Sequence, residues 1–164
     1  MKCISLWQPW ATLIAIGAKR FDTRSWETSY RGPLLIHAEK KMNGDLLEMC
    51  SDDPFLDALD RAGAYPTPGA PVERFLPLGA IIAVANLKAI YRVAERHTNH
   101  AVLSNGSEIM GPEYAFGDYA PGRFAWKLEN IRRFPEPIPF KGAQGIFSVP
   151  PELVAEQLAK AVTV

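Results

Sequence analysis

The chain has 164 residues, 48% hydrophobic and 22% charged, so it is long enough for one domain with its own core. Eighteen basic and eighteen acidic residues give a formal net charge of zero, which argues against a protein that coats duplex nucleic acid by bulk electrostatics. Neither a signal-peptide pattern at the amino terminus nor an apolar run long enough to cross a bilayer is present, so we expect a single cytoplasmic domain over residues 1–164 with no membrane contact.

The charges are distributed unevenly along the chain. Residues 1–41 carry a net charge of +4 and residues 42–73 carry −6, whereas residues 74–121 are neutral and residues 122–164 carry +2. A basic first part beside an acidic middle favours one positive cleft on a neutral body, and a solvated mixed surface is the alternative. Cys3 and Cys50 have no short spacing typical of a disulfide framework or zinc site, so we expect buried, reduced thiols.

The first predicted elements are a short strand over residues 4–6 and a two-turn helix. Pro9 suits the first helical position, apolar residues follow at helical spacing, and Gly17 suits a left-handed end to the helix. Residues 20–26 then predict a strand that places Asp22, Arg24 and Trp26 on one face. The apolar run 33–38 is typical of a strand buried on both faces.

The acidic middle predicts a helix over residues 45–50 and a second from Asp53 and Pro54, as N-cap and first helical residue, to Gly63. A proline-rich loop follows over residues 65–77. Residues 79–93 predict a long central strand, and residues 94–121 a mixture of helix and loop.

The last third predicts a strand over residues 124–131, an exposed or edge segment and a closing helix. The edge segment is indicated by Pro135, Pro137 and Pro139, and the helix covers residues 151–162, with Leu153, Val154 and Leu158 facing inward. Strands outnumber helices and the loops between them are irregular, which favours an α+β domain with a small curled sheet.

The amino-terminal block resembles a known family. ISLWQPW at residues 4–10, GAKRFDTR at 17–24 and the following SW, YRG and LLIHA are similar to the activating-signal-cointegrator homology (ASCH) domains. Their mark is Gly-x-Lys-x-x-Glu-x-Arg after a Q-P-W helix. Gly17, Lys19 and Arg24 match it, and Asp22 stands where Glu is usual. Later stretches, including GDYAPGR at 117–123 and PFKGAQG at 139–145, extend the resemblance over nearly the whole chain.

The resemblance implies a PUA-like fold, a small β-barrel flanked by helices, with a cleft where the motif segment meets the barrel. It also implies a role with RNA, single-stranded nucleic acid or a modified nucleotide. Neither the residues nor the resemblance indicates a cofactor or a metal.

The motif segment has the side chains that an unpaired nucleotide needs. Lys19, just past a helix end, offers a flexible ammonium, and Arg24 offers a planar fork for phosphate. Trp26 and Tyr30 offer faces on which bases stack. Further contacts are predicted from Arg31, Tyr119, Arg123 and Lys141. The alternative is a local ion-pair cluster in which Asp22 neutralises Lys19 and Arg24 while Trp26 fills the core.

A metal-independent hydrolase is the second functional hypothesis, with Lys19 and Asp22 as catalytic residues. Some ASCH-like proteins resemble amidohydrolases that remove acyl groups from cytidine, with a Lys that activates a Thr three positions later and a distant Glu. Here Asp22 occupies the Thr position, and Thr23 would face the other way on a strand. The distant acid is left open among Glu108, Glu113 and Asp118. Other relatives imply ribonuclease activity, for which Lys19, Arg24 and Tyr119 supply part of the chemistry.

The remaining motifs indicate structural roles. We expect Trp7 and Trp10 in the core, with Gln8 reaching the cleft, and His37 as a hydrogen-bonded core imidazole. The pair His97 and His100 has helical spacing but no third ligand nearby, so a metal site is not predicted. A protein-interaction module built on the proline-rich loop is a third hypothesis, supported by composition alone.

Overall fold

The computed structural model describes residues 1–65, 69 and 71–164, which form a mixed sheet with short helices. This is the α+β architecture that the order of elements predicts. The strands are β1 (Lys2–Leu6), β2 (Phe21–Arg24), β3 (Gly32–Ala38), β4 (Ala80–Arg96), β5 (His100–Leu103), β6 (Glu108–Met110), β7 (Phe124–Pro139), β8 (Ile146–Ser148) and β9 (Val162–Thr163). The helices are α1 (Trp10–Ala15), α2 (Gly44–Met49), α3 (Phe55–Arg61), α4 (Gly111–Ala115) and α5 (Pro151–Lys160), with a 3₁₀ turn at Val72–Arg74.

The sheet runs in the order β2-β7-β4-β3-β1-β8. β1 and β3 pair in parallel, and the other neighbours in this path pair antiparallel. β5 and β6 extend the far end of β4 as a hairpin, and β9 pairs with β7. The path from β2 to β8 is open in the described residues, so the closed barrel implied by the family resemblance is not confirmed.

The core lies on both faces of the sheet. α1 packs across β1, β3, β4 and β7, where Ile14 contributes to the largest apolar cluster. α5 covers the opposite face through Val154, in a cluster that also buries Cys3. A third cluster joins α1 to α2 and α3 and buries Cys50. Both thiols are buried and unpaired, as predicted.

Most element boundaries differ from the sequence predictions by a few residues, and three of the differences involve prolines. Pro9 and Pro54 occupy the N-cap positions of α1 and α3 and not the first helical positions. β7 continues to Pro139, because a register shift against β4 lets Pro135 and Pro137 lie exposed without a ladder partner. Leu153 was expected to face inward but is 51% exposed.

The region predicted as mixed helix and loop contains the hairpin of β5 and β6 as well as α4. Residues 104–106 form its turn, and Gly106 takes the left-handed conformation, with a φ of +81°, that the last position of a three-residue hairpin loop favours. In the proline-rich loop, Pro66 and Pro68 lie outside the described residues. None of the helices in the described ranges has the length and apolar character that crossing a membrane requires.

Candidate nucleotide-binding cavity

A cavity of about 480 Å³ lies where β1 ends, beside β2 and the loop after α4. That volume falls within the range of small-molecule sites, ~300–1,000 Å³. The motif segment supplies its polar floor, and aromatic side chains from distant parts of the chain supply its walls. The lining residues are Ser5, Leu6, Trp7, Trp10, Lys19, Asp22, Thr23, Arg24, Met49, Phe55, Ala115, Phe116, Gly117, Asp118 and Arg123.

Lys19 is fixed in the floor of this cavity. Gly17 ends α1 with a φ of +77°, and the Lys19 amide then donates to the Leu13 carbonyl, which turns the chain back toward the core. Its Nζ donates to the Phe116 carbonyl at 2.8 Å and lies 3.9 Å from Glu113 Oε1. Lys19 is only 1% exposed. The prediction of a flexible ammonium at Lys19 is therefore wrong, because these partners hold the side chain in one place.

Burial lowers the pKa of Lys19 below its ordinary value, because desolvation disfavours the charged amine. The negative charges of Glu113 and Asp22 act in the opposite direction but are the smaller influence. A lysine with a lowered pKa can lose its proton at lower pH than an exposed lysine does.

Asp22 and Arg24 form a short ion pair on one face of β2, as the strand alternation predicts. Arg24 Nε donates to Asp22 Oδ2 at 2.7 Å, and its Nη2 donates to the Ser5 carbonyl at 2.9 Å. The arginine thereby joins β2 to the end of β1 across the cavity. The ion pair between Asp22 and Arg24 that the alternative interpretation predicts is therefore present, although Arg24 also lines the cavity.

A second ion pair stands on the neighbouring loop. Arg123 Nε lies 3.2 Å from Asp118 Oδ2, and its Nη2 donates to the Thr23 carbonyl at 3.2 Å. The Asp118 amide donates to Thr23 Oγ1 at 3.1 Å, so β2 holds the loop in position. Gly117 is required here, because a Cβ at this position would lie 2.5 Å from Cε2 of Tyr119.

The three candidates for the distant acid of the hydrolase hypothesis occupy different positions. Asp118 lines the cavity. Glu113 stands behind Lys19, where it accepts from the amides of Arg20 and Phe21 and from the Tyr119 hydroxyl. Glu108 is exposed on β6 and does not line the cavity.

The structure contradicts two predictions for the ISLWQPW block, one for Trp7 and one for Gln8. Trp7 is 46% exposed at the cavity rim, so the core position expected for it is wrong. Trp10 is half-buried and packs edge-on against Phe55, with ring centroids 6.5 Å apart. Gln8 does not reach the cavity, because it is buried and bonded to the Pro77 carbonyl and the Thr12 amide.

Five other predicted contacts lie outside the cavity lining. Trp26 packs edge-on against Trp126 at 4.7 Å, and the Tyr30 hydroxyl donates to the Pro33 carbonyl. Arg31 donates to the carbonyls of Thr28 and Tyr30. Tyr119 is buried, which raises the pKa of its hydroxyl far above the ordinary value. Lys141 is exposed elsewhere on the surface. Contacts from these side chains to a ligand remain predictions.

The residues that line the cavity lie within a region of the chain that matches known proteins. The family model of the ASCH domain matches residues 4–137. The chain belongs to the ASCH domain family. Activating signal cointegrator 1 from Homo sapiens and from Mus musculus are each 51% identical to it over 39 residues, 24% of this chain and 7% of the relative. The chain therefore matches a small part of those proteins' length.

Two crystal structures from Zymomonas mobilis share the fold of this ASCH domain. They are ASCH, with a TM-score of 0.52 and 17% identity, and a ZmASCH mutant protein, with 0.51 and 16%. Each covers 98% of this chain, which covers 94% and 97% of them, respectively. Identity this low establishes the fold alone.

The histidines of this ASCH domain lie away from the cavity lining. His37 donates from Nε2 to the Phe140 carbonyl and accepts at Nδ1 from the Ser5 hydroxyl, because a carbonyl can only accept. This is the hydrogen-bonded core imidazole that was predicted. His97 and His100 stack with ring centroids 4.3 Å apart beside a hairpin turn. No cluster of three or more metal-ligating side chains occurs in the part of the chain that the structure describes.

Sequence reasoning missed five wall residues, which are Trp7, Trp10, Met49, Phe55 and Phe116. Met49 and Phe55 lie in the acidic middle, which has no motif. Trp7 carried a usable signal, because it directly follows a strand end and lies two residues before Pro9, in a connection where residues are often exposed. Phe116 directly precedes the GDY stretch that the family resemblance includes.

Proposed function

We propose that this ASCH domain binds RNA or another single-stranded nucleic acid, or a modified nucleotide, by taking an unpaired base into the cavity. The observation that carries the proposal is the meeting of two arginine forks with an exposed indole at one opening. Arg24 and Arg123 keep 23% and 29% of their side-chain surfaces exposed, and Trp7 stands at the same rim. A cytoplasmic location is part of this proposal.

The charge balance of the cavity favours contact with a base as well as with phosphate. Three cations line it, Lys19, Arg24 and Arg123, against the two carboxylates of Asp22 and Asp118, a formal balance of +1. Each arginine is already paired with one of these acids. Phosphate attraction alone is therefore weak, and stacking at roughly 1–3 kcal/mol per base supplies a comparable share of the affinity.

The proposal is tested by fluorescence polarisation with a labelled single-stranded RNA of eight nucleotides. The control is the same strand annealed to its complement, because an unpaired base can enter the cavity and a paired base cannot. We expect the single strand to bind at least about tenfold more tightly than the duplex. Equal affinity for both, or no binding of any oligonucleotide at low salt, would refute the proposal.

A metal-independent hydrolase is the second candidate, and the buried amine favours it. Lys19, with its lowered pKa, shares the cavity with the Asp22 carboxylate, so one group could take a proton from the attacking water while the ammonium gives its proton to the leaving group. Asp22 differs from the threonine of the acylcytidine amidohydrolases, so a water or a substrate hydroxyl would replace that oxygen nucleophile.

This candidate is tested by incubating the purified protein with an N-acylated cytidine and, separately, with single-stranded RNA. Release of the carboxylic acid or cleavage of the strand is expected to stop in Lys19→Met and in Asp22→Asn. Turnover that persists unchanged in both variants would show that another enzyme in the preparation is responsible.

A further inference from the structure

Residues 43–65, here called the cap, contain α2 and α3 and form one wall of the cavity. Among the described residues, every hydrogen bond and ion pair of the cap joins two residues of the cap itself. Examples are the Leu46 amide to Asn43 Oδ1 at 3.0 Å and the hydroxyls of Ser51 and Tyr65 at 3.2 Å. Polar contacts therefore do not tie the described part of the cap to the sheet.

Within the part of the chain that the structure describes, apolar packing is the contact that joins the cap to the body. Cys50, Phe55 and Leu59 are buried against residues from α1, from the segment before β4 and from the end of α4. The fully buried body residues in this seam are Leu13, Leu76 and Phe116, and partly buried body side chains such as Trp10 and Phe75 pack beside them. Non-directional packing can separate and re-form as a unit without leaving unpaired buried polar groups, so the cost of opening is limited to the apolar area exposed.

The helix α3 lies between two cavities. Phe55 lines the cavity described above, and Pro54, Ala58 and Ala62 line a second cavity of about 430 Å³ together with Gly17 and Pro112. The second cavity is an open groove at the surface, so no other part of the described chain packs against that side of α3. The same space leaves room for α3 to move.

We propose that the cap opens as a unit while the sheet remains folded, and that this opening admits the ligand, with Met49 and Phe55 closing over it. The second part rests on the proposed function. Local opening of this kind is expected where apolar packing holds a segment without polar contacts to its neighbours. The ligand-bound cap is then held closed by contacts with the occupant.

The two cysteines allow a test without any ligand. Cys50 lies in the seam, and Cys3 lies in β1, paired between β3 and β8. Burial raises the pKa of Cys50 to about 11 and that of Cys3 to about 12, so neither thiol reacts readily while buried. Opening of the cap exposes Cys50 alone, whereas exposure of Cys3 requires α5 to leave the sheet or the sheet itself to unfold.

The experiment measures alkylation of the native protein by N-ethylmaleimide, with peptide mass spectrometry to separate the two sites. We expect Cys50 to react at least about tenfold faster than Cys3. Leu59→Ala truncates a buried seam residue. It is expected to accelerate the alkylation of Cys50 by a further factor of about ten without accelerating that of Cys3 to the same degree. Leu47→Ala makes the same change at an exposed position of α2 and is expected to alter neither rate.

Equal reaction rates at Cys50 and Cys3 in the wild type would overturn the proposal, and this comparison remains decisive if Leu59→Ala does not fold. Equal acceleration of both sites in a folded Leu59→Ala would overturn it as well. An excess of the eight-nucleotide single-stranded RNA is expected to slow the alkylation of Cys50 but not that of Cys3. If polarisation shows that the RNA binds and Cys50 is not slowed, the cap has no role in ligand entry. If the RNA does not bind, the proposed function fails, while the cap opening is still decided by the two thiols.

Discussion

Two ion pairs in this domain have nearly the same length but different surroundings, and we predict different energies for them. Arg24 Nε lies 2.7 Å from Asp22 Oδ2 in the cavity, and Arg61 Nε lies 2.8 Å from Asp57 Oδ1 on the surface of α3. The cavity pair is 23% and 11% exposed, the surface pair 78% and 49%. Desolvation strengthens the cavity pair and makes its disruption more costly.

The magnitude follows from the contacts that each substitution removes. Arg24→Met deletes a hydrogen bond to a partly buried carboxylate and another to the Ser5 carbonyl, so it is expected to lower the free energy of unfolding by about 2–3 kcal/mol. Asp22→Asn removes the charge but keeps an acceptor, which costs about 1–2 kcal/mol. Because both substitutions break the same bond, their double mutant should fall short of the sum by about 1–1.5 kcal/mol.

The assay is urea unfolding of the wild type, the two single variants and the double variant. Arg61→Met with Asp57→Asn provides the matched cycle, for which we expect a coupling energy below about 0.5 kcal/mol because solvent screens the pair. Coupling energies that agree within about 0.3 kcal/mol between the two cycles would refute the reasoning, since burial would then add nothing to the cavity pair.

Three further predictions concern Lys19, Gly117 and the net charge of the cavity. The fold lowers the pKa of Lys19, so between the folded value and the unfolded value of about 10.4 the unfolded chain binds more protons and stability rises with pH. The free energy of unfolding of the wild type should therefore increase with pH relative to Lys19→Met in this window, and a constant difference in urea titrations would contradict the assigned direction. Gly117→Ala should cost about 1–3 kcal/mol in thermal unfolding, because the new Cβ meets the Tyr119 ring at 2.5 Å, whereas Gly44→Ala meets nothing within 4 Å and should not destabilise. The logarithm of the RNA binding constant should fall against the logarithm of salt concentration with a slope of about −1 to −2, and a slope steeper than about −4 would indicate a polyanion site elsewhere.

The sequence predicted the elements whose residues carry strong local signals. The Q-P-W helix, the left-handed Gly17 and the buried strand β3 follow from capping, glycine conformation and an apolar run, and each is present. Asp22 and Arg24 share a face because side chains alternate on a strand. The hairpin of β5 and β6 was missed although Asn105 and Gly106 are a strong turn signal, because its strands are only four and three residues long.

The site could be predicted only in part, because half of it comes from long-range packing. Lys19 was placed correctly on the chain after α1, but its burial depends on the Phe116 carbonyl, 97 residues away. Met49 and Phe55 reach the cavity through the packing of the cap, which no local pattern indicates. Trp26 and Tyr30 are close to Arg24 along the chain, yet the turn after β2 directs them to other partners.

The central claim is that the cavity, and not the general surface charge, holds the nucleic acid. The most direct measurement compares the affinity of the eight-nucleotide single-stranded RNA for Arg123→Gln and Arg31→Gln by polarisation. Both substitutions remove one positive charge from an arginine that donates to backbone carbonyls, but only Arg123 lines the cavity. We expect a loss of about tenfold for Arg123→Gln and less than about twofold for Arg31→Gln. Equal losses, or the larger loss for Arg31→Gln, would contradict it.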